Sequence, residues 1–343
     1  MRASISRWLP PRLSNLALLS VLLLALATGA GAVATGSSGG RWVVIAHGVT
    51  GMAVILLIPW KGRVIRRGLR RVRRARWASL LLALLAFITL VTGVGSSTGL
   101  IRSIGGRYGM WVHIAAGLAL IPLVAWHALS RQSRPHRTDL SRRVALKAGL
   151  LGVAAAGLYV TTDTVTRLTR LPGAQRRFTG SHEIGSFDPA SMPSTIWFND
   201  STPTVHAERW RLTVMDGVGS YQLTLPELAV QQTPCRATLD CTSGWYAQQD
   251  WAGVPVSSLI RDTGEARSLL VRSVTGYWIR LPVDDLEQLL LATSVGGEPL
   301  ARRHGFPLRL VAPSRRGYWW VKWVDRIELQ RTPAWWQSPF PLT

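Results

Sequence analysis

The chain has 343 residues, more than a single globular domain usually holds, so two or more structural units are expected. Its 40 basic and 18 acidic residues give a formal net charge of +22, a balance that often indicates nucleic-acid binding. The charge distribution argues against that class. No Asp or Glu precedes Asp139, and the basic residues before it cluster between long apolar runs, as the positive-inside rule predicts for a membrane protein.

Four apolar runs are long enough to cross a bilayer, which requires about 20 helical residues. They cover residues 14–34, 42–60, 77–97 and 109–130. Nine basic residues lie in the loop 61–76, whereas the loops 35–41 and 98–108 together carry three. This asymmetry predicts a multi-pass membrane protein with a cytoplasmic N-terminus, and we expect its location to be the bacterial cell membrane. We expect the first run to stay in the chain rather than be cleaved as a signal peptide, because further spans follow it.

A fifth, shorter apolar run at 144–162 follows the segment "SRRVALK", which begins at Ser141. This segment resembles the twin-arginine export signal, in which Ser-Arg-Arg precedes a mildly hydrophobic stretch. The alternative is an ordinary cytoplasmic flank of a helix. Five spans would place the chain after about residue 163 outside the cytoplasm. The twin-arginine machinery is then an expected partner, and it exports domains that have already folded around a cofactor.

Two histidines occupy matching places in the second and fourth runs. The segments "HGVTGMAVILLIPWK" from His47 and "HIAAGLALIPLVAWH" from His113 align as an imperfect repeat. Ionisable residues inside a membrane are candidate functional residues, and imidazoles on neighbouring helices can form the axial pair of a b-type haem. The alternative is a hydrogen bond between helices. Farther along the repeat His127 aligns with Lys61, a poor match for a second pair, so we expect one haem.

From about residue 180 the composition becomes that of a soluble domain. Alternating hydrophobicity predicts strands in "ERWRLTVMDG", "RSLLVRSVTGYWIRLP", "FPLRLVAP" and "YWWVKWVDRIELQ". Short helices are expected in "TLPELAVQQ", "PVSSLIRDTG" and "VDDLEQLLLAT". The predicted fold is multi-domain, an all-α transmembrane bundle followed by a mixed, β-rich α+β domain. The boundaries that we expect are 1–140 for four spans, 141–165 for the fifth, 166–197 for a linker and 198–343 for the soluble domain.

The only two cysteines of the chain are Cys235 and Cys241. Outside the cell they could form a disulfide. A zinc site needs three or four ligands at short spacing, and the histidines of the soluble region (His182, His206 and His304) show no such cluster. One cysteine could instead be a lone thiolate ligand to a larger metal group, for which soft sulfur is suited. The residues alone leave these alternatives open.

Two segments resemble the sulfite-oxidase superfamily of molybdopterin enzymes, with the bacterial periplasmic methionine-sulfoxide reductases as the closest branch. They are "DCTSGWYAQQDWAGVPVSSLI" and "GEPLARRHGFPLRLVAPSRRGYWWVKWVDRIEL", and the resemblance runs in order from about 198 to 329. It implies that Cys241, before the Gly-Trp pair, ligates molybdenum and that Cys235 is not involved. His304 departs from the Asn of that branch. The implied contacts to the pterin and its phosphate come from Thr275, His304, Arg309, Trp320, Val321 and Lys322.

Together these features predict a membrane-anchored molybdenum oxidoreductase that exchanges electrons with the quinone pool through haem b. The resemblance implies oxygen-atom transfer at an extracytoplasmic site, with an S-oxide or N-oxide as substrate. Cations at Arg309, Lys322 and the "PSRRG" turn suit the phosphate of the cofactor. Two alternatives stay open, a sulfite dehydrogenase that runs in the opposite direction and a membrane-anchored module that keeps the cofactor fold without turnover.

Overall fold

The computed structural model describes residues 9–69, 76–130, 141–196 and 200–337. The chain divides into two compact units. The first consists of Met1–Val33 with Ser38–Gly180, and the second of Ala34–Ser37 with Ser181–Thr343. The basic clusters that predict the membrane orientation lie wholly or partly outside the described residues, as does the predicted domain start at 198.

Five long helices form the first unit within the described residues. They are α1 Pro11–Ala34, α2 Arg41–Leu69, α3 Arg76–Thr98, α4 Gly109–Ser130 and α5 Arg142–Leu168. By length and composition each could cross a membrane. The first four match the predicted runs closely, except that α2 continues past 60, and α5 extends beyond its run at both ends. Each of these runs is about as long as a bilayer core requires and is rich in the good helix formers Leu and Ala, which explains the agreement.

Small residues bring these helices close together. α2 packs against α5 around Met52, Ala53 and Ala155, all of which are buried. A Cβ added at Gly48 of α2 would lie 2.4 Å from the ring of Tyr159 of α5, so glycine is required for this approach. α3 and α4 are joined by a two-stranded ribbon made of β1 Ser103–Ile104 and β2 Arg107–Tyr108.

The second unit contains a six-stranded sheet centred on β7. β6 pairs along most of β7 on one side, while β3 and β10 pair with opposite ends of its other side. β10 also pairs with β11 and β12. The strands of this sheet are β3 His182–Glu183, β6 Thr233–Asp240, β7 Trp245–Pro255, β10 Leu290–Val295, β11 Glu298–Pro299 and β12 Arg309–Val311. β3 lies inside the segment 166–197 that is predicted as a linker.

A five-stranded sheet in the order β5-β4-β13-β8-β9 completes the second unit. Its only parallel pair is β4 with β13. The strands are β4 Leu212–Met215, β5 Ser220–Leu223, β8 Ser268–Ser273, β9 Trp278–Pro282 and β13 Val324–Gln330. Two short helices accompany the sheets, α6 Leu225–Val230 and α7 Val256–Leu259. The predicted order of five apolar helices and then a sheet-rich mixed domain is confirmed, while membrane crossing stays a prediction.

One element prediction is wrong. The sequence predicts a helix in "VDDLEQLLLAT", but this segment forms a 3-10 helix at Val283–Gln288 and then β10. Its acidic residues, followed by several leucines, form a pattern that is also typical of the start of an amphipathic helix, which explains the wrong prediction. Leu290 and Leu291 are both buried, although neighbouring side chains point to opposite faces of a strand, so β10 is covered on both sides.

Candidate functional sites

Cys241 lies at the end of β6, in the four-residue turn that leads into β7. Its amide donates a 2.9 Å hydrogen bond to the carbonyl of Trp245, and the Gly244 amide donates to the Cys241 carbonyl at 3.1 Å. Gly244 has a φ of +103°, a conformation that glycine adopts without steric strain. This tight turn fixes the buried Cys241, which is 8% exposed.

The two cysteines are not partners. Cys235 lies within β6, six residues before Cys241, and six residues of extended strand span about 20 Å. A disulfide requires a Cα separation below about 7 Å. Both cysteines are free, so the disulfide alternative is wrong. Over the described ranges, no group of three or more His, Cys, Asp and Glu side chains is placed to hold a metal ion.

Arg309, the first residue of β12, is almost completely buried. Its guanidinium carbon lies 5.1 Å from the ring centre of Trp251 and 5.8 Å from that of Trp320. Nη1 donates to the His304 carbonyl at 3.0 Å, while Nε is buried without a hydrogen-bond partner. Burial lowers the pKa of Arg309 to about 9, and the nearby Cys241 opposes that shift. Aromatic rings, rather than a carboxylate, therefore flank this cation.

Lys322 lies in the loop before β13 and is half-buried. Its ammonium donates to the Ser194 hydroxyl at 2.8 Å and to the carbonyls of Thr195 and Arg303, both at 3.0 Å. Burial first, and then the charge of Arg309, lower the pKa of Lys322 to about 7. An ammonium has three donors, so Lys322 ties two loops together in this arrangement. A phosphate contact would require one of these bonds to be exchanged.

His304 lies in a 3-10 turn and is buried. Burial, followed by the charge of Arg309, lowers its pKa to about 3, so the imidazole is neutral near pH 7. Its Nε2 accepts a hydrogen bond from Arg303 Nε at 3.2 Å. The next residue, Gly305, has a φ of +111°, and a Cβ there would lie 2.9 Å from the Cβ of Arg309. Glycine is thus what lets this turn pack against β12.

Trp320 and Val321 have different roles in the same loop. The Trp320 ring covers Arg309, and its indole Nε1 donates to the Arg315 carbonyl at 3.2 Å. Val321 is fully buried, and its carbonyl accepts from the Leu310 amide at 2.8 Å. Trp320 is therefore part of the site, while the side chain of Val321 belongs to the core behind it.

Thr275 reaches this cluster only indirectly. It lies in the turn between β8 and β9, and its hydroxyl donates to Asp200 Oδ2 at 3.1 Å. Asp200 in turn acts on Lys322, whose pKa it raises. The predicted contact of Thr275 with the cofactor stays a prediction. Residues 197–199, which precede Asp200, are outside the described part of the chain.

Sequence reasoning missed how Arg316 acts. The "PSRRG" turn is predicted to supply cations to the cofactor phosphate, which stays a prediction. In the structure the buried Arg316 of this turn donates from Nη2 to the Cys241 carbonyl at 3.1 Å. Nη1 lies 3.1 Å from Asp240 Oδ1, an ion pair without hydrogen-bond geometry, and Asp240 also accepts from the Ser181 hydroxyl at 2.7 Å. Arg316 thus holds the backbone of the Cys241 turn. The turn's second arginine, Arg315, pairs with the carboxylate of Asp285.

These residues fit an anionic cofactor with a soft metal. Cys241 offers a thiolate, a ligand for metals that already carry sulfur. Arg309 is a buried cation with an unpaired N–H, and such groups are usually satisfied by a partner. An anion next to it would gain a charge-assisted hydrogen bond. The donor set therefore suits the molybdenum-molybdopterin group implied by the sequence.

Comparison with known proteins decides the family. Residues 199–337 match the oxidoreductase molybdopterin binding domain. The oxidoreductase YuiH of Bacillus subtilis is 31% identical over 142 residues, which cover 38% of this chain and 70% of YuiH. The chain belongs to the molybdopterin-binding oxidoreductase family. The predicted enzyme class, a molybdopterin-dependent oxidoreductase, is thereby confirmed.

Two further relatives place this domain near the sulfite-oxidase type. Human mitochondrial sulfite oxidase is 38% identical over 178 residues, which are 40% of this chain but only 33% of that enzyme. The protein-methionine-sulfoxide reductase catalytic subunit MsrP of Gluconobacter oxydans is 25% identical over 263 residues, covering 62% of this chain and 80% of MsrP. The sulfite-oxidase-type resemblance is confirmed, and the reaction catalysed is treated below as a proposal.

In the helical unit His47 of α2 and His113 of α4 face each other. Their ring centres are 5.9 Å apart and their planes are at 74°. His47 Nδ1 lies 3.0 Å from the Ala25 carbonyl of α1, and His113 Nδ1 lies 2.8 Å from the Thr89 carbonyl of α3. A carbonyl only accepts, so each Nδ1 carries its hydrogen and each Nε2 keeps a lone pair.

The repeat seen around the histidines extends to the helices that precede them. Gly29 and Gly93 each lie four residues after the carbonyl that binds an imidazole. A Cβ added at Gly29 would lie 3.0 Å from His47 Cε1, and one at Gly93 would lie 2.9 Å from His113 Cε1. Two imidazoles that bind one metal from opposite sides would have ring centres about 6 Å apart. Each side contributes a metal–nitrogen bond of about 2 Å and half the width of a ring. The observed separation of the two ring centres, 5.9 Å, is close to this distance.

Proposed function

We propose that this protein is a membrane-anchored molybdenum oxidoreductase that transfers an oxygen atom at its Cys241 site and exchanges electrons with the quinone pool through haem b. The observation that carries the proposal is the buried Cys241 with the buried, unpaired Arg309 N–H nearby. Thiolate and cation meet the two different demands of a molybdenum-pterin group, a soft metal ligand and charge neutralisation.

Each of these residues has a different role in binding the molybdenum-pterin group. Cys241 would ligate the metal and Arg309 would donate to the anionic part of the cofactor, while the neutral His304 accepts a hydrogen bond from Arg303 and adds no charge. Arg316 fixes the Cys241 turn through its carbonyl. When bound, the group supplies a metal that exchanges an oxygen atom with the substrate while it accepts or releases two electrons.

We favour the reductive direction with an S-oxide or N-oxide, including methionine sulfoxide. An S-oxide, two electrons and two protons give a sulfide and water, and a quinol supplies both the electrons and the protons. The match to MsrP over 62% of this chain supports this direction. The second candidate is a sulfite dehydrogenase, in which sulfite and water give sulfate, two protons and two electrons. The 38% identity to human sulfite oxidase supports it.

The electron path is proposed to pass through one haem b held by His47 and His113. Their Nδ1–carbonyl bonds provide the outer support that metal-binding histidines usually have. Lys61, which stands where a second pair would need a histidine, donates to Asn15 Oδ1 at 3.0 Å, in keeping with a single haem. The five apolar helices support membrane anchoring. An extracytoplasmic second unit, exported by the twin-arginine machinery, completes the proposal.

A substrate screen on the purified full-length protein tests this function. Methionine sulfoxide, other S-oxides, N-oxides and sulfite are added in turn while the haem absorbance is followed. We expect S-oxides or N-oxides to oxidise pre-reduced haem in the wild type and not in Cys241→Ser. Reduction of oxidised haem by sulfite supports the dehydrogenase instead. Molybdenum-loaded protein that responds to none of these compounds contradicts both candidates.

A further inference from the structure

A chain of three hydrogen bonds ends on the sulfur of Cys241. The Trp245 indole donates to the Thr195 hydroxyl at 3.2 Å. That hydroxyl lies 3.3 Å from Ser243 Oγ, which donates to Cys241 Sγ at 3.0 Å. Ser243 and Trp245 are buried, and the Thr195 carbonyl is held by Lys322.

The chemistry of the first donor sets the direction of the whole chain. An indole N–H can only donate, so Thr195 Oγ1 must accept from Trp245. Its own hydrogen is then available for Ser243. Ser243 accepts that hydrogen with a lone pair and can direct its own O–H at Cys241. A metal-bound thiolate has no hydrogen and can only accept, so the orientation agrees at both ends.

We propose that Ser243, oriented by Thr195 and Trp245, is a positioning residue that sets the reduction potential of the molybdenum by donating a hydrogen bond to its cysteine ligand. This inference rests on the proposed role of Cys241 as that ligand. Hydrogen bonds to ligand sulfur are among the factors that set the potentials of metal centres. The bond draws electron density from the thiolate, which then donates less to the metal, so the more reduced metal is favoured.

The test is an EPR-monitored redox titration of the Mo(V) signal in the molybdenum-loaded full-length protein. Removal of the donor in Ser243→Ala should shift the Mo(V)/Mo(IV) midpoint to lower potential. Thr195→Val should shift it in the same direction by less, because Ser243 keeps its hydroxyl but loses the partner that orients it. Thr195→Ser, which retains the hydroxyl, should leave the wild-type potential unchanged.

A matched control is Ser268→Ala. Ser268 is also completely buried, but its hydroxyl donates to the Thr332 carbonyl at 2.6 Å and takes no part in the Cys241 chain. Its removal should not move the midpoint. Metal analysis of every variant separates a changed potential from a loss of cofactor.

Each outcome decides the inference. A Ser243→Ala midpoint equal to that of the wild type, with molybdenum bound, overturns it. If Ser243→Ala fails to bind molybdenum, Thr195→Val decides, since a lowered midpoint supports the inference and an unchanged one overturns it. A wild-type protein that binds no molybdenum contradicts the proposed function itself, which distinguishes the two failures.

Discussion

The two units build their sites in opposite ways. In the helical unit, two imidazoles from a repeated segment face each other, and each is oriented by one carbonyl and one glycine of the preceding helix. In the sheet unit, Cys241 comes from a hairpin turn, while Arg309 and Lys322 come from a strand start and a loop more than 60 residues later.

The difference predicts how each site responds to mutation. In the helical unit His47 and His113 occupy equivalent places in the repeat, so loss of either histidine should have the same effect. In the sheet unit every residue has its own task, so the effects should be graded from the metal ligand to the outer supports. The five experiments below test this contrast in order of decreasing expected effect.

Cys241→Ser should have the largest effect, because a hydroxyl is a poor replacement for a soft thiolate ligand. We expect a loss of turnover greater than the roughly 10- to 100-fold typical of residues around a metal site, measured with the substrate found in the screen. Cys235→Ser is the matched control and should retain wild-type turnover. Equal losses in the two variants would contradict the assignment of Cys241.

His47→Ala and His113→Ala should each abolish the reducible b-type absorbance band. The physical reason is that the proposed haem would be held by both imidazoles, so that loss of either removes one of its two ligands. His127→Ala is the comparison, since it lies outside the facing pair, and it should keep the band. If the band survives the loss of either His47 or His113, the two histidines are not equivalent haem ligands, and the interpretation of the helical unit is wrong.

Arg309→Met should weaken cofactor binding by roughly 10- to 100-fold and so lower the molybdenum content of the purified protein, because it removes the buried cation. Arg309→Lys keeps a charge but loses the planar group held between Trp251 and Trp320, so we expect an intermediate content. Metal analysis measures both. Full loading of the methionine variant would show that Arg309 does not neutralise the cofactor.

Gly29→Ala and Gly93→Ala should each reduce haem content in part. The added methyl group would lie 3.0 Å from the His47 ring in the first variant and 2.9 Å from the His113 ring in the second, so each ring must tilt away. Gly117→Ala of α4 is the control, because a Cβ there has no atom within 4 Å. The ratio of haem absorbance to protein compares all three. Similar ratios in Gly93→Ala and Gly117→Ala would exclude this support.

Lys322 should give the smallest effect, a dependence of stability on pH. Its pKa falls from an ordinary value of 10.5 to about 7 on folding, so between these values the unfolded chain binds more protons. Stability of the cofactor-free protein should therefore rise as pH increases from about 7 towards 10. Unfolding midpoints followed by tryptophan fluorescence at several pH values measure this rise. In Lys322→Met it should be smaller, and an identical rise would contradict the assignment.

Sequence alone predicted the helices closely because hydrophobic length is a one-dimensional signal. It also placed His47 opposite His113, since a repeat carries its own geometry. It did not predict β7, the central strand of the site. The inward positions of β7 include Gln249, which is fully buried and donates to the Gly185 carbonyl at 2.6 Å. A polar side chain at an inward position removes the alternation on which strand prediction depends.

Some of the site residues could likewise be predicted from the sequence, whereas the roles of others could not. Arg309 and His304 follow from the resemblance because they lie in one short motif. The roles of Arg316 and Ser243 depend on which atoms meet after folding, the Cys241 carbonyl and the Cys241 sulfur. Nothing in residue type or spacing distinguishes Arg316 from Arg315, although one is buried at the site and the other pairs with Asp285.

The most direct test of the account is stopped-flow absorbance on the full-length protein with its haem reduced beforehand. Addition of methionine sulfoxide should oxidise the haem of the wild type and leave that of Cys241→Ser reduced. Oxidation at the same rate in both proteins would show that electrons do not pass from the haem to the Cys241 site, and would contradict the account.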